Sequence, residues 1–487
     1  MNHESAPLYE ALCAYAKNKN TTLHVPGHKD GETFDAQAMA HFQSILELDA
    51  TEISGLDDLH HPTEVIAQAQ QLAANAFGAE HTFFLIGGTT AGNLAAALTL
   101  CSPGDTILVQ RNAHKSVCNG LLLAGAHPVY MVPQIEPMTQ AAAGIHAEQL
   151  QEALSKYPEA KAVWITNPNY YGMTQDVRAL AEICHEADLP LIVDEAHGAH
   201  LGQVEALPPS ALQAGADLVV QSTHKMLTAM TMASMLHVQG RRIPIQRLAS
   251  VLSMIQSSSP SYPLMASLDV ARRYLVVQGR RQLPRTIVKL EQHRATLNKQ
   301  LEHLLLWHAE ESDPLKWVIT SCHTALSGYQ LLDALQKRGY VAEMADIKNV
   351  VLVFSIAASD MDIQRIADAI LEIDRMLCNL PSNKDEPGFQ NDQSERLSAG
   401  TKEVIKPSIS LQEAFHSDKE KVRIEEAEGR ICAEMVIPYP PGIPLLTPGE
   451  RITAAHIETI HRIERAGGYF QGALDEQMKA IFVLVNR

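Results

Sequence analysis

Between about residue 63 and residue 270 the chain switches repeatedly between two hydrophobic periods. Short apolar runs recur as TFFLI (82–86), TILVQ (106–110), AVWIT (162–166), LPLIVD (189–194) and DLVVQS (217–222), bounded by Gly, Pro or Asp. Runs without polar alternation read as strands covered on both faces, as in a mostly parallel sheet. Helical patterns separate them. In 63–77 the apolar residues Val65, Ile66, Ala69, Leu72, Ala73, Ala76 and Phe77 suit a helix with one buried face, and GNLAAALTLC and VRALAEICHEA are further helical segments. This alternation predicts an α/β fold, a large sheet with helices on both sides.

A chain of 487 residues has room for two or three domains. We read 1–280 as an N-terminal segment plus the large domain. A smaller α+β domain is expected over 281–380, opening with the amphipathic TIVKLEQHRATLNKQLEHLLL and containing the strand-like VVLVFSIA (350–357). Residues 381–403 are polar, lack apolar periodicity and read as a flexible linker. A small C-terminal domain then fills 404–487, with the helix candidate SLQEAFHS and the segment IPYPPGIPLLTPGERI. No internal repeat is present, which argues against a solenoid.

The net charge of −17 disfavours nucleic acid and anionic lipid as partners. It slightly favours a cationic substrate, although solubility alone explains an acidic surface. Seven cysteines, widely spaced and without a CxxC pair, argue against a disulfide framework and a thiolate zinc site. No basic-then-apolar leader opens the sequence, and no run approaches the roughly 20 apolar residues of a membrane helix. A cytoplasmic protein is expected.

Chemistry concentrates where strands end. DLVVQSTHKM (217–226) places Ser222, His224 and Lys225 after a strand, the position where ligands bind in open parallel sheets. Partial desolvation there would lower a lysine's pKa and free its amine to form an imine with an aldehyde cofactor. Ser222 and His224 could reach a phosphate. Taken alone, Lys225 reads more simply as a solvated loop lysine. Asp194 ends the strand in LPLIVDEAHGAH. It fits a partner for a pyridinium nitrogen and, equally, a helix N-cap. Asp194, His197 and His200 do not have H-E-x-x-H spacing, and no metal is expected. The turn Gly87, Gly88, Thr89, Thr90, Ala91, Gly92 could offer backbone N–H groups and hydroxyls to a phosphate, or merely reverse the chain. His114, after TILVQ, could stack on a ring or be an ordinary structural histidine.

In this order the residues resemble fold type I pyridoxal-phosphate enzymes, the aspartate-aminotransferase-like fold. The closer resemblance is to the bacterial ornithine/lysine/arginine decarboxylase family. It is carried by PLYEAL (7–12), HVPGHKDG (24–31), GLDDLHHP (55–62), GTTAGN (88–93), RNAHKS (111–116), NPNYYG (167–172), DEAHGAH (194–200), STHKM (222–226), SSSPSYPLMASLD (257–269) and YPPGIPLLTPGE (439–450). The resemblance implies pyridoxal 5'-phosphate as cofactor and Lys225 as its Schiff-base lysine. It makes Asp194 the partner of the ring nitrogen and His114 the group stacked over the ring. Thr89, Thr90, Ser222 and His224 form the phosphate cup, Ala91 is a further cofactor-binding residue, and His197 lies near the phenolate oxygen. It also implies a homodimer or higher homo-oligomer with shared active sites, Ser257–Ser259 reaching across. The short start before PLYEAL suggests a form lacking the N-terminal wing domain of the large inducible members. Gly87, Ala91 and Gly92 replace Asn, Thr and Ser of some relatives, leaving fewer hydroxyls for the phosphate. His197 replaces an aromatic.

The expected reaction is decarboxylation of a basic L-amino acid (arginine, lysine or ornithine) to its amine. Acidic groups around Glu450, or from a second subunit, would meet the substrate's cation. The rivals are an aminotransferase or lyase on the same fold, and a non-catalytic regulatory paralogue. Aminotransferases commonly clamp the substrate carboxylate with an Arg on a small-domain strand, and VVLVFSIA has none. Retention of both Lys225 and Asp194 weighs against a silent paralogue.

Overall fold

The computed structural model describes residues 1–487 except 19, 324–325, 379–402, 440–441, 474 and 486–487. Its large sheet contains β1 (His81–Leu85), β2 (Thr106–Gln110), β3 (His127–Met131), β4 (Val163–Thr166), β5 (Leu191–Asp194), β6 (Leu218–Gln221) and β7 (Ser234–Val238). They lie in the order β1-β7-β6-β5-β4-β2-β3. β3, β2, β4, β5 and β6 pair in parallel. β7 is antiparallel to both β6 and β1. β1 therefore runs in the same direction as the parallel strands, and only β7 opposes them within this set. The carboxyl ends of β1, β2, β4, β5 and β6 consequently share one rim.

Every residue of β2, β4, β5, β6 and β7 is buried, as expected for strands with helices on both faces. One such helix, Val177–Glu186, buries Val177, Leu180, Ala181 and Cys184 along a single stripe, and the Asp176 side chain caps its start by accepting from Ala179 N at 3.0 Å. Helix Gly88–Leu100 packs tightly against the sheet at Gly92. A Cβ there would lie 2.2 Å from Val220 Cγ1 and 2.8 Å from Leu85 Cδ1. Residue 92 therefore faces β6 and β1. A hydroxyl-bearing side chain would collide with the sheet, so Gly92 is a packing residue and its lack of a hydroxyl costs the rim nothing.

The second sheet is antiparallel. It consists of β8 (Leu304–Trp307), β9 (Lys316–Ser321), β10 (Met344–Ala345) and β11 (Asn349–Val353) in the order β10-β11-β9-β8. Helices Gly328–Gln336 and Asp360–Leu377 accompany it. The long amphipathic segment expected from residue 286 is split, its helix ending at Asn298 and LLL entering β8. The helical run from Tyr262 passes through a wider turn at 275–279 into Arg280–Asn298. Residue 280, the proposed boundary, thus falls inside a continuous rod.

The expected linker lies outside the described residues apart from Glu403. Immediately after it, β12 (Val404–Ile405) pairs antiparallel with β3. The remaining C-terminal part pairs β13 (Lys419–Arg423) with β16 (Ala480–Leu484), and β14 (Pro438–Tyr439) with β15 (Tyr469–Phe470), around helix Ala454–Arg465. Arg111, just beyond β2, joins this part to the large sheet. Its guanidinium donates to Pro444 O at 2.8 Å, Leu445 O at 3.0 Å and Glu450 Oε2 at 2.9 Å. Among the described residues no helix is long and apolar enough to cross a membrane.

Candidate active site

The loops leaving the rim converge on one cavity. Helix Gly88–Leu100, after β1, contributes Thr89, and the loop after β2 contributes His114. Thr166 ends β4 and is followed by Pro168 and Tyr170. Asp194 ends β5, with Ala196 and His197 beyond, and Lys225 follows β6. Lys225 lies on a single helical turn, Thr223–Met226, with its backbone N–H donating to Ser222 O at 3.0 Å. The expected loop lysine is therefore fixed by local backbone and turned inward.

The Lys225 ammonium is held below its ordinary pKa, chiefly by burial, while the carboxylates of Asp194 and Glu343 oppose the shift. Its Nζ lies 3.0 Å from His197 Nε2 and 5.8 Å from the centre of the Tyr170 ring. Burial, then the positive charges of Lys316 and Lys225, hold the His197 imidazole well below its usual range. His197 is therefore neutral near pH 7. A neutral imidazole that accepts at Nε2 carries its proton on Nδ1. That Nδ1 is buried without a partner among the described residues, so in this tautomer it is an N–H in want of an acceptor.

Asp194 is positioned by two donors. Asn93 Nδ2 reaches its Oδ2 at 2.9 Å and the Ala196 backbone N–H reaches its Oδ1 at 3.1 Å. Asn93 Nδ2 also contacts Ser116 Oγ at 2.9 Å, and Ser116 Oγ lies 2.7 Å from His114 Nδ1. The Ser116 backbone N–H points at the same Nδ1 at 3.3 Å, which makes Nδ1 the acceptor and leaves the His114 proton on Nε2. Burial lowers the His114 pKa, and Asp194 works against that shift. Asn93 thus links the acid at the end of β5 to the imidazole after β2.

The phosphate-cup residues divide. Thr89 Oγ1 is 3.1 Å from Ser222 Oγ, so two hydroxyls meet beside the first turn of helix Gly88–Leu100. Thr90 is exposed and Ala91 buried, and neither lines the cavity. His224 is half-buried with Nδ1 3.1 Å from Ala233 O. His200 Nε2 pairs with Asp313 Oδ1 at 2.9 Å, away from Asp194 and His197. Ser257–Ser259 are exposed, with His60 Nε2 on Ser257 O at 2.8 Å. Glu450 is buried against Arg111 and also accepts from the Thr447 hydroxyl at 2.9 Å. It is committed to that clamp and is not a free acid for a substrate cation, contrary to expectation.

The sequence model of the Orn/Lys/Arg decarboxylase major domain matches residues 6–325. The chain belongs to the Orn/Lys/Arg decarboxylase family. The family's C-terminal domain matches residues 387–472. Among relatives, Bacillus subtilis (strain 168) YaaO is 40% identical over 99% of both chains. Bacillus anthracis arginine decarboxylase is 34% identical over 99% of this chain and 98% of its own. The Francisella novicida lysine decarboxylase LdcF superposes with a TM-score of 0.83 at 20% identity, over 98% of this chain and 81% of that one. Serine palmitoyltransferase with PLP shares the fold more distantly, with a TM-score of 0.54 at 16% identity over 72% of this chain and 86% of that one. Membership in this family makes the chain a decarboxylase of aspartate-aminotransferase-like fold.

Sequence reasoning gave no role to Asn93, Ser116, Thr166, Tyr170 or Glu343. Asn93 carried a usable signal, because an Asn within an Ala-rich helix needs a partner for its amide.

Proposed function

We propose that the chain decarboxylates a basic L-amino acid, arginine first, with pyridoxal 5'-phosphate joined to Lys225. The observation that carries this is the Lys225 amine, turned inward and facing a cavity shared with Asp194, His114 and His197. The residues fit the cofactor. Thr89 and Ser222 hydroxyls beside a helix start suit its phosphate. Among the described residues His197 Nδ1 and Thr166 Oγ1 lack partners; the first suits the phenolate oxygen, and Thr166 adds a further polar group to the cavity lining. Asp194 suits a protonated ring nitrogen, and His114 a position over the ring.

Bound there, the cofactor would supply an electron sink for the bond broken at the substrate's Cα. Asp194, fixed by Asn93 and Ala196, keeps a proton on the ring nitrogen. His114 and Tyr170 line the cavity and would help exclude water from it. A lowered pKa gives the free Lys225 amine a larger neutral fraction, which would let Nζ take up and return a proton beside the substrate's Cα. His197 Nε2, at 3.0 Å, is the group placed to exchange that proton.

Glu343 is an exposed carboxylate next to β10 whose charge is felt by Lys225, Lys316, His224 and Tyr170. It is the acid we assign to the substrate's cationic end. β11 carries no Arg to hold the substrate carboxylate, which suits a reaction that expels it. Arginine is preferred because Bacillus relatives named arginine decarboxylase match nearly end to end. Two copies pairing, with Ser257–Ser259 of one approaching the cavity of the other, complete the reading. The test is a parallel assay of the cofactor-loaded chain with arginine, lysine and ornithine, following CO2 and amine. Agmatine from arginine is expected. Keto-acid formation, or no CO2 from any of the three, would overturn the proposal.

A further inference from the structure

Away from the cavity, one corner of the second sheet gathers donor side chains that the proposed reaction does not use. Glu302 and His303 precede β8, and Cys378 follows helix Asp360–Leu377. Their donor atoms all lie within 4.8 Å of one another, the sole such group among the described residues. A third segment flanks them. The His323 ring packs edge-on to that of His303 at 5.1 Å, and the Cys322 N–H donates to His303 O at 2.9 Å. Cys322 and Cys378 are the exposed cysteines, and both fall at this corner.

The corner is held in place by its own backbone. Asp374, buried and one turn before Cys378, accepts the N–H groups of Glu302 at 2.9 Å, His303 at 2.9 Å and Leu304 at 2.8 Å. The loop bearing the carboxylate and the imidazole is thereby fixed to the helix bearing the thiol. Among the described residues the thiol makes long contacts, 3.9 Å to Glu302 Oε2 and 3.9 Å to Asp374 O.

We propose that Glu302, His303 and Cys378 bind a borderline divalent cation of the zinc type, with water in the fourth position. One thiolate, one imidazole and one carboxylate are donors that select zinc or cobalt(II) over magnesium and calcium, which prefer oxygen. Tetrahedral sites with these bond lengths need donors about 3.5 Å apart. Closing that gap falls to rotation of the Glu302 and Cys378 side chains, both exposed. On binding, the thiol proton passes to solvent, a metal–sulfur bond forms and the ion sheds water. The bound ion would pin the start of β8 to the end of the helix.

The test uses untagged full-length protein, stripped with EDTA, desalted and kept reduced with a non-chelating phosphine. Titration with cobalt(II) should give one tight equivalent per chain and a thiolate-to-cobalt charge-transfer band that zinc abolishes. Cys378→Ser should remove the band, His303→Gln should weaken binding by about tenfold or more, and Cys322→Ser should leave both unchanged. Zinc should also slow alkylation of Cys378 in the unmutated chain, a readout independent of whether a variant folds. Absence of stoichiometric binding, a band that survives Cys378→Ser or vanishes with Cys322→Ser, or alkylation of Cys378 indifferent to zinc would each overturn the assignment.

Discussion

Replacing Asn93 by leucine, which keeps the branch at Cγ but is bulkier, removes one amide that serves two acceptors. Asp194 Oδ2 and Ser116 Oγ each lose a donor at 2.9 Å. Both lie in a buried site, so water does not readily replace the amide. A lost hydrogen bond to a charged group costs about 1.5–3 kcal/mol. The proposed reaction needs Asp194 paired with a cationic ring nitrogen and needs His114, reached through Ser116, held in register. If that cost appears in the transition state, kcat/KM falls by about 10- to 150-fold, since 1.36 kcal/mol is tenfold. Steady-state decarboxylation by the cofactor-loaded Asn93→Leu protein measures it. Asn93→Asp is the informative companion. It places a second carboxyl against Asp194, where like charges cannot both ionise cheaply, so its loss should shrink as pH falls. An Asn93→Leu enzyme within about twofold of the parent would refute the claim that this amide organises the site.

Three further outcomes are expected. Gly92→Ala puts a methyl into Val220 and Leu85 and should cost about 1–3 kcal/mol in urea unfolding. A stability unchanged within error would mean that helix Gly88–Leu100 can shift freely. Burial raises the Glu195 carboxyl to about 8. The native state therefore holds this proton more tightly than the unfolded chain, and stability falls as pH rises from about 4.5 to about 8, by at most about 5 kcal/mol. Glu195→Gln should flatten that slope relative to the parent, and parallel pH–stability curves would contradict the assignment. Glu343→Gln should raise KM for the basic substrate by about fivefold with kcat little changed, consistent with loss of one exposed charge–charge contact worth about 1 kcal/mol. An unchanged KM would send the cation's partner elsewhere.

The rim was readable from sequence because its strands are apolar on both faces, leaving Asp194 and Lys225 conspicuous at their ends. β3 and β7 were not readable. Pro128 disguises β3, since proline normally marks a strand as marginal. His237 disguises β7. It is buried only because Gln221 Oε1 lies 3.1 Å from one ring nitrogen and Thr82 Oγ1 2.7 Å from the other, partners on neighbouring strands that no local pattern displays. The same limit hid the Asp194–Asn93–Ser116–His114 chain, which joins residues from three strand–helix units. Glu450 misled in the opposite direction. Its place in a family-like segment suggested a free acid, whereas Arg111, 339 residues away in sequence, already engages it. The hydroxyl deficit inferred at Gly92 dissolved for a packing reason that only the sheet contact reveals.

Reductive trapping tests the central claim most directly. The full-length chain is loaded with pyridoxal phosphate, reduced with borohydride, digested and mapped by mass spectrometry. The phosphopyridoxyl mass should appear on the peptide containing Lys225. Its appearance on Lys115 or Lys316 instead, or on no lysine while the cofactor stays freely dialysable, would contradict the assignment of this amine as the point of attachment.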